Sequence, residues 1–311
     1  FKLRQSGTYW WHSHSSLQEQ AGHYGPIIVE SADPDPRYDR DYVVLLSEFT
    51  PMHPHEIMRK LKVGEHYFQR QMLTANEGEM SGEMRRMWGE MRMNPRDISD
   101  VTGSTYTFLV NGHGPADDLQ LAFNPGERVR LRIINASAMT IFNLRIPGLA
   151  MSVVQADGQN VQPVETDELQ IGVAETYDVV VTPREDRAFT IMAESIERLG
   201  YARATLAPRE GMTAEVPELR PTPLLTMRDM GMDHGSMGHG SMSGDGMDHS
   251  AMGHDGMNHG SMDHGQMDHS AHSGHSAMAM EDSAPVTHNH TEGPGVANLN
   301  MAPISRLDAP G

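Results

Sequence analysis

The chain has 311 residues, 24 Lys and Arg against 42 Asp and Glu, and a formal net charge of −18 at pH 7. That length holds one large or two ordinary domains, and that charge argues against nucleic acid or an anionic membrane as a partner, since both select basic surfaces. With no Cys and 25 Met, the chain can form no disulfide, thiolate metal site or Cys nucleophile, and its soft ligands suit an oxidising compartment in which thiols are consumed.

No apolar run reaches the length of about 18 residues expected of a membrane span, and no signal peptide is present. The first residue is Phe and structured-looking sequence begins at once, so the chain reads as a piece cut from a longer precursor. Residues 1–32 open with "FKLRQSGTYWWHSH", a strand, a turn at Gly7 and a second, aromatic strand. "YGPIIVES", Tyr24 to Ser31, is a further short strand after a Gly-Pro turn. Residues 33–41 form a polar, Pro-containing connector.

The second segment, 42–210, starts with the buried strand "YVVLLSEF". Strand-like runs follow at Thr105 to Asn111, Glu127 to Ser137, Ile141 to Pro147, Met151 to Asp157, Asp167 to Gly172, Thr176 to Pro183 and Phe189 to Ser195. Short strands of alternating polarity with Gly, Pro, Asn or Asp between them predict an all-β sandwich. An insertion at about 54–100 breaks the pattern with helix formers. Within it Met80, Met84, Met87 and Met91 share one helical face, and a packing face is preferred to a copper relay because Met fills irregular cores. His53 and His55 precede the insertion's first helical run and read as a solvated helix cap rather than a metal pair.

From 227 to 294 the composition changes, and Val286 is the only Val, Leu, Ile, Phe, Tyr or Trp. Met232, Met237, Met242, Met247, Met252, Met257, Met262 and Met267 stand five residues apart. In every frame but that of Met242 a histidine follows two residues later: His234, His239, His249, His254, His259, His264 and His269. A period of five matches neither the helical 3.6 nor the strand 2, and so little apolar surface cannot offset ordering entropy, so disorder without metal is expected. Thioether sulfur suits Cu(I), and imidazole suits Cu(II), Zn or Ni. The alternation therefore predicts a copper-binding segment for both oxidation states. Residues 295–311 regain apolar character and read as the lead-in to another folded unit.

His12 and His14 lie two apart in "GTYWWHSHSS". On a strand that spacing is roughly 6.6 Å, too far to chelate one ion comfortably and suited to two neighbouring ions with one imidazole each. A bare His-x-His is a weak signal by itself.

The longer run "GTYWWHSHSSLQEQAGHYGPIIVE" resembles the second copper-binding motif of the multicopper oxidases. "WGEMRMNPRDISDVTG", "NPGERVRLRIINAS" and "IPGLAMSVVQADGQNVQPVETDELQIGVAETYDVVV" resemble the middle domain of that family's periplasmic copper-resistance branch, the copper-resistance protein A group. "PLLTMRDMGMDHGSM" resembles the linker after that domain. The resemblance implies a cupredoxin-like Greek-key β-sandwich, with His12 and His14 as ligands of a type 3 copper pair. It implies a periplasmic oxidase that takes electrons from Cu(I), with phenols as a further candidate substrate, and reduces O2 to water. The family's first, third and fourth motifs are absent, and so is the type 1 copper Cys. The expectation is a fragment without the start of domain 1 and without domain 3, inactive alone. The alternative is a non-catalytic protein that sequesters copper.

Overall fold

The computed structural model describes residues 2–34, 36–64, 66–68 and 81–225, together with the strand Asn298–Asn300. In chain order the elements are β1 (Gly7–His12), β2 (Tyr24–Val29), β3 (Arg40–Phe49), α1 (Pro54–Val63), α2 (Gly82–Glu90), β4 (Thr107–Val110), β5 (Leu119–Ala122), β6 (Val129–Asn135), β7 (Phe142–Arg145), β8 (Met151–Ala156), β9 (Gln159–Ile171), β10 (Thr176–Val181), β11 (Phe189–Ser195), β12 (Tyr201–Ala207) and β13 (Asn298–Asn300). Among the described residues no helix is long and apolar enough to cross a membrane.

β1 and β2 form an antiparallel pair of their own, and the larger sheet runs β4-β3-β6-β10-β8-β9-β7-β11-β12-β5. The long β9 makes this one continuous surface. Its first part pairs with β8, from Ala156↔Gln159 to Met151↔Thr166, and its last part pairs with β7, from Arg145↔Glu168 to Phe142↔Ile171. The sheet folds over at that strand, and alternate side chains of both halves meet inside. Val129, Leu131 and Ile133 of β6 pack with Val44 and Leu46 of β3, Phe142 and Leu144 of β7, and Ile191 of β11. Burying such a side chain stabilises the fold by about 1.5–3 kcal/mol, so this face is what makes β6 a strand.

Period-two alternation sends the other β6 residues, Arg130, Arg132 and Ile134, to the opposite face, where the β1–β2 hairpin sits. Trp10, Tyr24 and Ile28 pack on a small cluster of Leu45, Ile134 and Ala136. At the hairpin's edge Tyr9 donates to the carbonyl of Gly158 at 3.3 Å. Asp157 and Gly158 join β8 to β9 with φ of 47° and 75°, the pair of positive values that a type I′ turn requires. A Cβ at Gly158 would lie 2.3 Å from the Tyr9 ring, so this position needs glycine both for its backbone and for the neighbour above it.

A polar clamp fixes the same hairpin. The Thr8 hydroxyl donates to Asp178 Oδ2 at 2.9 Å and accepts from Arg132 Nη1 at 2.9 Å. The Thr8 amide donates to Gln155 Oε1 at 3.0 Å, and its carbonyl accepts from the Thr176 hydroxyl at 3.2 Å. Asp178 Oδ2 also accepts from Arg130 Nε at 3.0 Å and from Arg130 Nη2. Arg132 closes a fork on Asp41, both bonds 2.7 Å. A second clamp holds the segment after β12. Arg220 forks onto Glu168 at 2.9 and 2.8 Å, and its amide and Nε both bond Glu194 at 2.7 Å. Further along, the Leu225 amide donates to the Pro95 carbonyl at 2.7 Å.

The sequence-based strands are found, with three differences. β1 begins at Gly7, where a turn was expected, and residues 2–6 have no regular structure. β9 starts eight residues earlier than the expected Asp167 strand; Pro163 lies within it and obscures the strand pattern there. β5 and β12 were not anticipated. The described part of the insertion carries the two helices α1 and α2, in keeping with its helix formers. Its α2 buries Trp88, Met87 and Met91 are half-buried, and Met84 is 37% exposed, so the indole rather than the thioethers anchors the helix.

Asp178→Asn should leave Arg130 with a buried, uncompensated charge. Loss of one partner of such a pair costs about 3–5 kcal/mol, so the urea midpoint of the variant should fall at an unchanged m-value. A midpoint within error of the parent chain would show that the clamp contributes nothing net.

Candidate metal centre

Strand alternation puts Thr8, Trp10 and His12 on the hairpin face turned to the sandwich, with Tyr9 and Trp11 on the other. His12 is the last residue of β1 and pairs with Tyr24. The Trp10 ring stacks on the His12 imidazole, centroids 4.3 Å apart at 21°, and the Trp10 indole N–H donates to the Ala174 carbonyl at 3.3 Å. That fixes the plane of His12. Across the hairpin Trp11 lies over Gly25, where a Cβ would meet the indole at 2.7 Å. The glycine is the space that lets the tryptophan lie flat.

Beyond His12 the chain leaves the strand. The Ser13 amide bonds the His23 carbonyl at 3.0 Å and the His23 amide bonds the Gln18 carbonyl at 3.0 Å, closing a compact loop. His14 therefore lies beyond the strand that carries His12. The two rings approach to a centroid separation of 4.4 Å at 50°. The expectation that both histidines share one strand is corrected, because the strand ends at the first. His14 is exposed. His12 is 27% exposed, with Nδ1 3.1 Å from Glu19 Oε1, yet that nitrogen is buried and has no aligned hydrogen bond.

Two imidazoles with a carboxylate behind one of them suit copper or another borderline metal, and a carboxylate on the second nitrogen is the arrangement that orients a ligating histidine. The unsatisfied His12 Nδ1 fits that role. Among the described residues no cluster of three or more His, Asp or Glu forms a complete metal site. The Met and His residues of the 227–294 tract lie outside the described residues, as does Met80.

The other histidine pair serves the helix. His53 caps α1, its Nδ1 accepting the His55 amide at 3.3 Å, with Pro54 at the first helical position. Its Nδ1 is thus already used in the cap. His55 Nε2 lies 3.3 Å from the Ser16 hydroxyl, so the helix start braces the loop that carries His14. The cavity of about 510 Å³ lined by Pro36, Arg128, Leu149, Ser152, Val154 and Arg184 lies toward the Val129 and Val181 end of the β6–β10 pair. Ile134, which supports the hairpin, is at the other end of β6.

Sequence reasoning passed over one group. Glu48 follows Val44 and Leu46 in the inward alternation of β3 and is 5% exposed. A lone carboxylate at an inward position of the apolar "VVLLSEF" was the available signal. Its Oε2 accepts from the Thr140 hydroxyl, and Oε1 is buried without a partner. Burial pushes its pKa up to about 7, against the opposing Thr140 bond and with added repulsion from Glu197. Tyr106 is raised far above the usual phenol range, first by burial and then by the Glu48 charge. Its hydroxyl donates to Gln20 Oε1, in the histidine loop, at 3.1 Å. The Gln20 Nε2 is buried without a partner.

The sign of the resulting pH dependence follows from the raised value. Between 4.5, the ordinary carboxylate value, and about 7 the folded chain binds the Glu48 proton more tightly than the unfolded chain. Stability therefore falls as pH rises through that window, by about 3 kcal/mol in all. Glu48→Gln cannot ionise. Its unfolding free energy relative to the parent should rise by that amount between pH 4.5 and pH 8 in urea titrations. A constant difference across the range would mean that Glu48 titrates normally.

The multicopper oxidase family model matches residues 40–214, and a second model of the same description matches residues 1–34. Copper resistance protein A of Escherichia coli is 53% identical over 242 residues, 75% of this chain and 40% of that protein. Copper resistance protein A of Pseudomonas syringae pv. tomato is 51% identical over 252 residues, 76% of this chain and 41% of that protein. This chain thus spans about two-fifths of the length of these relatives. Among solved structures, Fet3p, a multicopper oxidase that functions in iron import, superposes with a TM-score of 0.51 at 21% identity, over 70% of this chain and 37% of its own. The laccase from Botrytis aclada does so with a TM-score of 0.51 at 23% identity, over 72% and 39%. Those two likenesses concern the fold, and they bear out the cupredoxin-like sandwich. With both halves of its described body matched by the family models, and about half of the aligned residues identical to copper resistance proteins over three-quarters of the chain, the chain belongs to the multicopper oxidase family.

Proposed function

We propose that this chain is the part of a copper-resistance oxidase that contributes His12 and His14 to a type 3 copper pair, and that the whole protein oxidises Cu(I) with O2 as the electron acceptor. The observation that carries the reading is the pairing of the two rings at 4.4 Å in the segment that the family model covers. Bound copper would pass electrons to O2. The chain's own residues do the rest: Trp10 fixes the His12 ring plane, Glu19 stands behind Nδ1, and the loop from Ser13 to His23 carries His14 alongside. Phenols are a second candidate substrate class, and the periplasm is the compartment that the absence of Cys and the copper-resistance relatives favour.

The tract from 227 to 294 supplies Met and His in alternation and would gather Cu(I) for oxidation. Its approach is anchored, since Arg220 is held by β9 and β11 of the sandwich and Leu225 by Pro95 in the insertion. A sequestering protein without catalysis is the second reading. The eight methionines and seven histidines in register in the tract favour it.

Titration of the chain with Cu(I) against a competing chromophoric chelator, beside a version ending at Thr226, separates the parts. Several equivalents lost on truncation are expected. Equal, near-zero binding by both would remove the tract from the proposal. For the histidine pair, Glu19→Gln should weaken Cu(II) binding to the truncated version by about 10–100-fold, the usual effect of removing a group that orients a ligating histidine. Unchanged affinity would place the copper elsewhere.

A further inference from the structure

We propose that the groove at the Val129 and Val181 end of the β6–β10 pair binds a small, elongated monocarboxylate with an apolar body and a hydrogen-bond donor at its far end, as in a hydroxycinnamate. The groove lies at the opposite end of β6 from the hairpin, and the proposal does not rest on the copper reading of His12 and His14.

Strand alternation defines the groove. The strands β6, β10, β8 and β9 lie side by side. Val179 and Val181 of β10 and Val153 of β8 pack into the core, so Val180, Ser152 and Val154 turn to the outer face. Val180 pairs with Ser152, and Ser152 pairs with Glu165 of β9, which sets these three in one row across the sheet. Toward one end the hairpin covers this face, through Thr8 on Asp178. Toward the other end lies the concavity of about 510 Å³, within the range of about 300–1,000 Å³ that small-molecule sites occupy. Val154 and Val180 line it, are 3% and 6% exposed, and belong to neither apolar cluster. They form an apolar floor, with Leu149 and Pro36 beside them.

Three charged side chains complete the lining, Arg128, Arg184 and Glu165. None of them has an ion pair or a side-chain hydrogen bond among the described residues. Each arginine stands beside carboxylates that other arginines hold. Glu127, next to Arg128, is taken by Arg40. Glu185 and Asp186, which follow Arg184, are taken by Arg187 and Arg209. In a chain with 42 acidic residues against 24 Lys and Arg, two guanidiniums left over on one concavity make a site for an anion. Their backbones are fixed. The Arg128 amide donates to Asp39 Oδ2 at 2.8 Å, and its carbonyl accepts from the Asp39 and Arg40 amides at 2.8 and 3.2 Å. The Pro183 carbonyl, just before Arg184, accepts from the Gly126 amide at 2.8 Å, which ties that segment to the one carrying Arg128.

The ligand class follows from charge, floor and length. Two guanidiniums and one carboxylate leave the groove with one positive charge. A single carboxylate neutralises it, and a second would meet Glu165. The paired N–H donors of a guanidinium match a carboxylate, and the valine floor takes an apolar body. From the strand of Arg128 to the strand of Glu165 is three strand spacings, about 14 Å. Side chains reaching inward from both sides leave room for one ring and a short arm. At the far end Glu165 accepts a hydrogen bond, with the Ser152 hydroxyl opposite it in the ladder. A phenol is still protonated at pH 7 and supplies the donor.

The test is calorimetric titration of the metal-free full chain with 4-hydroxycinnamate at pH 7 and low salt, with amide resonances locating the ligand by nuclear magnetic resonance. Saturable binding is expected, with shifts at Ser152, Glu165 and Val180 and none in the loop from Ser13 to His23. Arg128→Ala and Arg184→Ala should each weaken binding by about 10–100-fold, the effect of losing a hydrogen bond to a charged group, and the double variant should not bind. The parent chain should reject the dicarboxylate 4-carboxycinnamate, and Glu165→Gln should raise affinity for it far more than for 4-hydroxycinnamate. All three substituted side chains are exposed, so the variants keep the parent's urea midpoint and a loss of binding reads the groove. Failure of the parent to bind 4-hydroxycinnamate saturably would overturn the proposal. So would binding that survives the double arginine variant, or a dicarboxylate bound by the parent as tightly as the monocarboxylate.

Discussion

A single buried carboxylate, Asp178, holds together parts of the chain more than a hundred residues apart. Its Oδ2 gathers Thr8 from the hairpin and Arg130 and Arg132 from β6. A buried charge is tolerated only when it is paired and hydrogen-bonded, and here the pairing is also what seats β1. Arg132 would bring an excess positive charge of its own, which Asp41 at the start of β3 balances. Once Thr8 is fixed, strand alternation fixes Trp10 and then His12. The histidine that faces the candidate copper site is thus set in place by a threonine four residues back along its own strand, which an ion pair between β6 and β10 holds.

The broad architecture was legible in the sequence because it depends on alternation. The runs around Val129 to Asn135 and Thr176 to Val181 are too apolar and too β-branched to be anything but buried strands, and the gaps between them carry turn residues. Legibility failed where one residue contradicts its surroundings. Pro163 masked the first part of β9, although it sits at an irregularity in the β8–β9 ladder, where such a residue is tolerated. Gly7 read as a turn but begins a strand. At the site, the histidine pair was visible as a motif, while its geometry was not: whether the strand ends at His12 or continues to His14 depends on the loop bonds from Ser13 to His23. Glu48 was missed because its significance lies in what surrounds it across the fold, namely Thr140, Tyr106 and Glu197, none of which is near it in sequence.

Membership of the multicopper oxidases rests on both parts of the described body, the hairpin and the sandwich, and the high identity to copper resistance proteins covers them together. The physical logic agrees with that descent. The chain carries soft and borderline donors and no thiol, an acidic surface that attracts cations, and a pair of imidazoles screened on one side by tryptophan. Each feature alone has an ordinary structural explanation. What the fold adds is placement: the imidazoles sit where the hairpin leaves the sandwich, beside a helix start that braces the same loop through His55 and Ser16.

The two attachments of the molecule differ in kind. β9 belongs to both halves of the large sheet, so neither half can come apart without the other and the sandwich must open as a unit. The β1–β2 hairpin shares no backbone ladder with that sheet. It is held by one polar clamp, the Tyr9 contact, the Trp10 bond to Ala174 and a small apolar cluster, and regions so attached open on their own at lower free energy than the whole. A metal bound by His12 and His14 in the closed state alone would then act as a latch, adding stability that grows as the logarithm of its concentration over its dissociation constant. Copper supply would be recorded directly in the exchange rates of the hairpin amides, with the sandwich core keeping its own rate throughout.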